Sequence, residues 1–134
     1  MRRLRDAGSR ESGQSMVEFA LVLPILLLVL VGVVQFALVH HAQNVTTTAA
    51  QEGARLAAVE GGDAAAGEAR ARDVLRSGLG STAESFEVTA SDTGETVVVD
   101  AAGAYPLIFP WLGSRTVSID ASATMRKEGF RSGP

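Results

Sequence analysis

Three periodicities follow one another along the chain, and each predicts a different kind of element. From Phe19 to Val39 there are 21 residues without a charge. At about 1.5 Å of rise per helical residue they span roughly 31 Å, the thickness of the hydrocarbon core of a bilayer. Lipid offers no partner for backbone amides and carbonyls, so the run predicts a membrane-spanning helix. Pro24, near its start, removes one donor and predicts a mild kink. Beyond the run, Val45, Ala49, Gly53, Leu56 and Val59 recur every three or four residues. The helix is therefore expected to continue outside the membrane, with a face of small residues for close packing, until Gly61-Gly62 end it. Asp63 is placed to cap a second helix from Ala64 to about Ser77, with Gly67, Ala71, Val74 and Leu75 on one face, Glu68 and Arg72 as an i,i+4 pair, and Gly78 and Gly80 closing it.

After Gly80 the period changes to two. Phe86, Val88 and Ala90 alternate with polar residues, as do Val97, Val99 and Ala101, and then Val117, Ile119, Ala121, Ala123 and Met125. These are three strands with one apolar face each. Ser91-Asp92-Thr93-Gly94 makes a turn that joins the first two into an antiparallel hairpin, and a longer link from Gly103 to Arg115 leads to the third. The fold class expected is α+β: a long N-terminal transmembrane helix extending outside the membrane, a short second helix and a small antiparallel sheet of about three strands. The segments are a cytoplasmic leader at 1–13, the span at 14–39, its extracytoplasmic continuation at 40–62 and a small extracytoplasmic domain at 63–134.

Charge adds an orientation. Arg2, Arg3, Arg5 and Arg10 precede the span and no Lys or Arg follows it until Arg55. Positive charge biases its end of a span toward the cytoplasm, so the N-terminus is expected inside and the C-terminal domain outside, as a single-pass protein. The leader holds Gly8, Ser9, Ser12 and Gly13, which disfavour a helix. With 12 basic and 15 acidic residues in a chain of 134 there is no nucleic-acid footprint. The chain has no cysteine. Disulfides and thiolate metal sites are excluded, and the outer domain must be held by its core or by neighbouring subunits.

Candidate chemistry concentrates at the mouth of the span. Gly13 and Gln14 stand before it, and Glu18 and Phe19 open it. A carboxylate at the edge of an apolar run is unfavourable without a partner. Glu18 has two readings: a group paired on assembly, or a headgroup-level acid near the positive helix N-terminus. His40 and His41 point roughly 100° apart on a helix and have no third ligand nearby in sequence, which makes them an interfacial, solvated pair rather than a metal site. Asn44-Val45-Thr46 fits a glycosylation sequon but lies within two turns of the membrane and is read as chance. The link carries Tyr105, Phe109 and Trp111. It is either a lid over the sheet or a sticky surface for a partner subunit or the outer membrane leaflet.

Gly13-Gln14-Ser15-Met16-Val17-Glu18 resembles a type IV prepilin processing site, in which a membrane peptidase cuts after the glycine. The resemblance implies a mature chain that starts at Gln14, where type IV pilins carry phenylalanine. It also implies that Glu18 meets the new N-terminal ammonium of a neighbouring subunit. Gly13 to Pro24, read with Ala49-Ala50-Gln51-Glu52-Gly53-Ala54-Arg55, is similar to the TadE-like pseudopilins of tight-adherence, Flp-type pilus systems, over about the first 60 residues. That resemblance implies a minor pilin-like subunit of a prokaryotic cytoplasmic membrane. It would be processed by the prepilin peptidase and partnered by other pilin-like and tight-adherence subunits, in fibres used for adhesion or secretion.

No metal-ligand cluster, nucleophile elbow or phosphate loop stands in the chain, and Gly78-Leu79-Gly80 lacks the third glycine and the preceding strand of a dinucleotide loop. An enzyme and a cofactor are not expected. The competing class is an uncleaved, signal-anchored envelope protein whose outer domain binds a ligand or partner.

Overall fold

The computed structural model describes residues 5–59, 61–109, 113–127 and 129, with side chains from Ser12 onward. The architecture is α+β: helix α1 (Arg5–Ala58), helix α2 (Ala64–Leu79), a 3₁₀ helix (Gly80–Ser85), and strands β1 (Phe86–Asp92), β2 (Thr96–Pro106) and β3 (Thr116–Arg126). The chain divides into two compact units, Met1–Ala37 and Leu38–Pro134.

In the first unit the helix begins at Arg5 and runs through Gly8, Gly13 and Pro24. The leader is therefore helical where its glycines and serines predicted otherwise. Starting a helix is the costly step, and the apolar run already supplies a nucleus. Extending it costs only about 1 kcal/mol at each glycine.

The second unit is built on the end of α1. Ala42, Thr46, Ala49, Ala50, Gly53, Ala54 and Ala57 are buried, whereas Leu56 and Val59 are each 41% exposed. The expected stripe is thus rotated: the smallest residues, not the largest, face inward. The reason lies in α2. A Cβ on Gly53 would lie 2.6 Å from the Gly67 carbonyl oxygen and 3.0 Å from the Ala71 Cβ, and one on Gly67 would lie 2.6 Å from the Gly53 oxygen. The backbones meet where neither helix has a side chain, and alanines on either side complete the seam. Arg70 and Glu52 add an exposed ion pair across it at 3.5 Å.

Helix α2 starts as predicted: Asp63 is extended (φ −131°, ψ 167°) and its carboxylate accepts from the Ala66 N–H at 2.6 Å. Glu68 and Arg72 form the i,i+4 ion pair. Gly78, expected to close the helix, lies inside it. Its missing side chain admits Val45, whose Cγ1 is 2.5 Å from where a Cβ would stand. The helix ends at Leu79, and Gly80, at φ 59°, returns its N–H to the Arg76 carbonyl.

The sheet order is β1-β2-β3, antiparallel throughout. Phe86, Val88, Val97, Val99, Ala101 and Ile119 face inward and are buried, with Val117 and Ala123 partly so. Together with Leu75 and Ala71 of α2 and the alanines of α1 they form one core. Strand β2 runs past the expected break at Gly103 to Pro106, which places Tyr105 in the sheet opposite Val117 rather than in the link. Gly103 lies opposite Phe86, and a Cβ there would stand against the Phe86 ring, nearest its Cγ. The glycine is a platform for the aromatic ring, not a strand terminator.

The hairpin turn is fixed by Asp92, which accepts the Gly94 N–H at 2.8 Å and pairs with Lys127. The bond from the Lys127 ammonium, then that from the Gly94 amide, holds the Asp92 carboxyl below its ordinary value. A depressed folded-state pKa stabilises above the unfolded value and is lost as pH falls through the folded one. Asp92→Asn is therefore expected to lower the thermal midpoint of the full chain in detergent at pH 6, with the difference from wild type shrinking as the pH is taken down through and below the ordinary carboxylate range. A difference independent of pH would contradict the pairing.

The seam gives a second expectation. Gly67→Ala overpacks the crossing by about 1–3 kcal/mol, against roughly 1 kcal/mol gained in helix propensity. The net loss is expected to lower the midpoint by several degrees. Gly32→Ala, where nothing lies within 4 Å of the new methyl, should not lower it.

Candidate functional site

The residues singled out before the span lie on α1, and all of them are exposed. Around Gly13 nothing lies within 4 Å of a Cβ position, so its neighbourhood is open on the helix surface. Gln14 and Glu18 are four apart and share a face, one turn of about 5.4 Å between them. Phe19 is 65% exposed and Met16, three residues earlier, 77%.

Beyond them the exposure continues without a polar break. Leu21, Ile25, Leu26, Leu28, Leu30 and Val33 all stand open. Among the described residues, one helix is long and apolar enough to cross a membrane, and none of its most apolar window is buried inside the protein. A soluble core helix would hide such a surface. This one has no protein cover, and an apolar medium is what its side chains fit. The chain carries a single-pass candidate span near its N-terminus.

In the second unit the continuation of α1 makes polar contacts of its own. Thr46, Thr47 and Thr48 return their hydroxyls to the carbonyls of Ala42, Gln43 and Asn44 at 2.8, 2.9 and 2.9 Å. Gln43 reaches across to donate to the Asp120 carbonyl of β3 at 2.9 Å. His41 lies beside the Gly78 carbonyl at 3.4 Å, an exposed contact within a protein surface. Among the described residues no three His, Asp or Glu side chains cluster as metal ligands.

The comparison with families bears on the segment that runs from the open mouth of the span through the exposed apolar helix to the small-residue seam. Residues 13–55 match the family model described as TadE-like protein. This segment is TadE-like. It starts at Gly13 and ends at Arg55, so it takes in the candidate processing site, the span and the seam glycine Gly53. Among curated proteins and among solved structures no match was found.

The TadE-like segment holds four of the residues proposed from sequence, Gly13, Gln14, Glu18 and Phe19. The remaining three lie outside it. Tyr105 is half-buried at the rim of the core, Phe109 is half-buried in the link, and Trp111 lies outside the described residues. Sequence reasoning placed Gly67 on the packing face of α2 but not as a backbone contact, and it missed Gln43; both help to position the second unit. A glycine in mid-helix facing a second mid-helix glycine was the signal for the first. For Gln43, 77 residues from its partner, the sequence carried none.

Val29 is near the centre of the run. Leu26→Lys, Val29→Lys and Val33→Lys combined are expected to raise the cost of insertion by roughly 9 kcal/mol, enough to offset the favourable contributions of the run, and to move much of the protein into the alkali-extractable fraction of membranes. Unchanged membrane retention of this triple variant would show that the run is not the span.

Proposed function

We propose that this chain is a minor, pilin-like subunit of a tight-adherence pilus apparatus, with a structural role in assembly rather than a catalytic one. The reading rests on one coincidence: the TadE-like match begins at the glycine that precedes the span and covers the whole of it. A protein associated with the Tad pilus and anchored by one N-terminal helix follows at the coarser level. At the finer level, the prepilin peptidase cuts after Gly13 on the cytoplasmic side, and the outer unit faces the extracytoplasmic space. There the chain joins other pilin-like subunits in fibres for adhesion or secretion.

Gly13 suits the cut. The peptidase needs an extended segment, and a glycine beside Ser12 is the cheapest place to unwind the helix. Removal of the leader takes away four arginines and leaves Gln14 with a free ammonium at the membrane edge. Glu18 then has a cationic counterpart on a neighbouring subunit, and pairing relieves the cost each charge carries alone at the edge of lipid.

The mature N-terminus decides the processing step. Mass spectrometry of the membrane-resident protein is expected to find Gln14 first, and Gly13→Asp to block the cut. Met1 or Arg2 at the terminus of the wild-type pool would refute it. Glu18→Gln tests assembly separately. It leaves the ammonium unpaired at a cost of about 3 kcal/mol, so co-recovery of pilin-like partners and surface fibres should fall while insertion and cleavage persist. Normal fibre display at matched protein level would return Glu18 to a solitary headgroup-level acid.

A further inference from the structure

The two edges of the sheet are finished differently. Along β2 and β3 the register is unbroken from Thr96↔Arg126 to Pro106↔Thr116. At its two ends Lys127 N–H donates to the Glu95 carbonyl and Leu107 N–H to the Arg115 carbonyl, at 2.8 and 2.9 Å. Antiparallel ladders alternate, so the odd-numbered residues of β3 bond to β2 and the even-numbered ones aim their N–H and C=O away from the sheet. Gln43 donating to the Asp120 carbonyl fits this parity. On the opposite edge the same parity turns the Val88 carbonyl outward, and Arg72 of α2 covers it at 3.3 Å.

Strand β3 has no such cover beyond Asp120. From Ser122 to Arg126 it is exposed except at Ala123, which is half-buried on the core side, and it has no proline, lysine or bulge; among the described residues nothing bonds the outward amides of Ser122, Thr124 and Arg126. A straight edge of this length is a template for another strand. Its charges select which one. The Asp120 carboxylate and the Arg126 guanidinium are exposed, and among the described residues neither has an ion-pair partner.

We propose that β3 pairs antiparallel with β3 of a second copy of this chain, about a two-fold axis through Ala123. In that register the outward residues of one copy meet those of the other. Asp120 stands opposite Arg126 of the second copy, Ser122 opposite its Thr124, and the symmetry repeats both contacts. Directly opposed charges of opposite sign favour such a register. A slip that moves the axis to Ala121 sets Asp120 against Ser122 and Arg126 against Thr116, and both ion pairs are lost. The Asp120 carbonyl keeps its bond to Gln43, because a carbonyl accepts twice. The two small sheets become one of six strands with both β3 edges closed.

The chain has no cysteine, so single cysteines report the pairing without background. At the axis Ala123 faces itself in a non-hydrogen-bonded pair, with Cα atoms about 4.5 Å apart, within disulfide reach. Oxidation of native membranes that contain the full-length Ala123→Cys protein is expected to give a disulfide-linked homodimer. Its yield should exceed that from Ser118→Cys or Ala121→Cys on the order of fivefold, because those positions do not face themselves. Asp120→Arg or Arg126→Asp, added singly to Ala123→Cys, should reduce the crosslink, and the two together should restore it. A variant that merely misfolds is not rescued by the second reversal. Equal crosslinking at Ser118→Cys, a maximum at Ala121→Cys, indifference to the charge reversals, or capture of a different protein by Ala123→Cys would each overturn the proposal.

Discussion

The second unit depends on two helices touching at backbone distance. Gly53 and Gly67 leave no room between α1 and α2 for even one methyl group, and the alanines around them are buried. A core of alanine and valine buries little apolar area per residue, so it holds only if its layers come close. The seam supplies that closeness. It lets short side chains on α1 reach Val97 and Val99 of the sheet while α2 covers Phe86 and Val88 from the side. A large residue at either glycine would lift α2 and open the core that Leu75, Phe86 and Ile119 share.

The same helix carries two opposite surface chemistries. Before Leu38 its large apolar side chains stand exposed, and after it the inward face is made of alanine, glycine and threonine. Lipid and a packed sheet ask for different things. Against acyl chains bulk is favourable in every direction, whereas against a second helix bulk is an obstacle. The TadE-like match spans both regimes, which places the lipid-facing run and the seam in one recognisable segment.

Much of the architecture was legible because period-two alternation and a helix cap are local signals. Asp63 capped α2 at the expected place, and the three strands turned the expected faces inward. The phase of α1 was legible only in part: Ala49 and Gly53 are buried and Val45 packs on the core as expected, but the end of the stripe is turned away. In a helix rich in alanine the largest apolar residues suggest the buried face, yet Leu56 and Val59 point out because α2 demands the smallest ones inside. Gly78 and Gly103 were misread for a related reason. A glycine that ends an element and a glycine that makes room for Val45 or Phe86 look alike until the distant partner is known. The leader's helix escaped notice because propensity describes an isolated segment, and this one grows from a nucleus next to it. The candidate processing and assembly residues, Gly13, Gln14, Glu18 and Phe19, were visible because their spacing lies within one short stretch. The 3₁₀ helix at Gly80–Ser85 had no periodic signature at all.

The parity of β3 has a consequence for how this chain can change in length. Its polar side chains and its outward backbone groups belong to the same residues, so one inserted or deleted residue within Thr116–Arg126 would exchange both at once. Ile119 would turn to solvent and Ser118 or Asp120 to the core. The ladder closes at Leu107 and Arg115, so a change of length between that pair leaves the parity of β3 intact. The strands can change in composition but not in count.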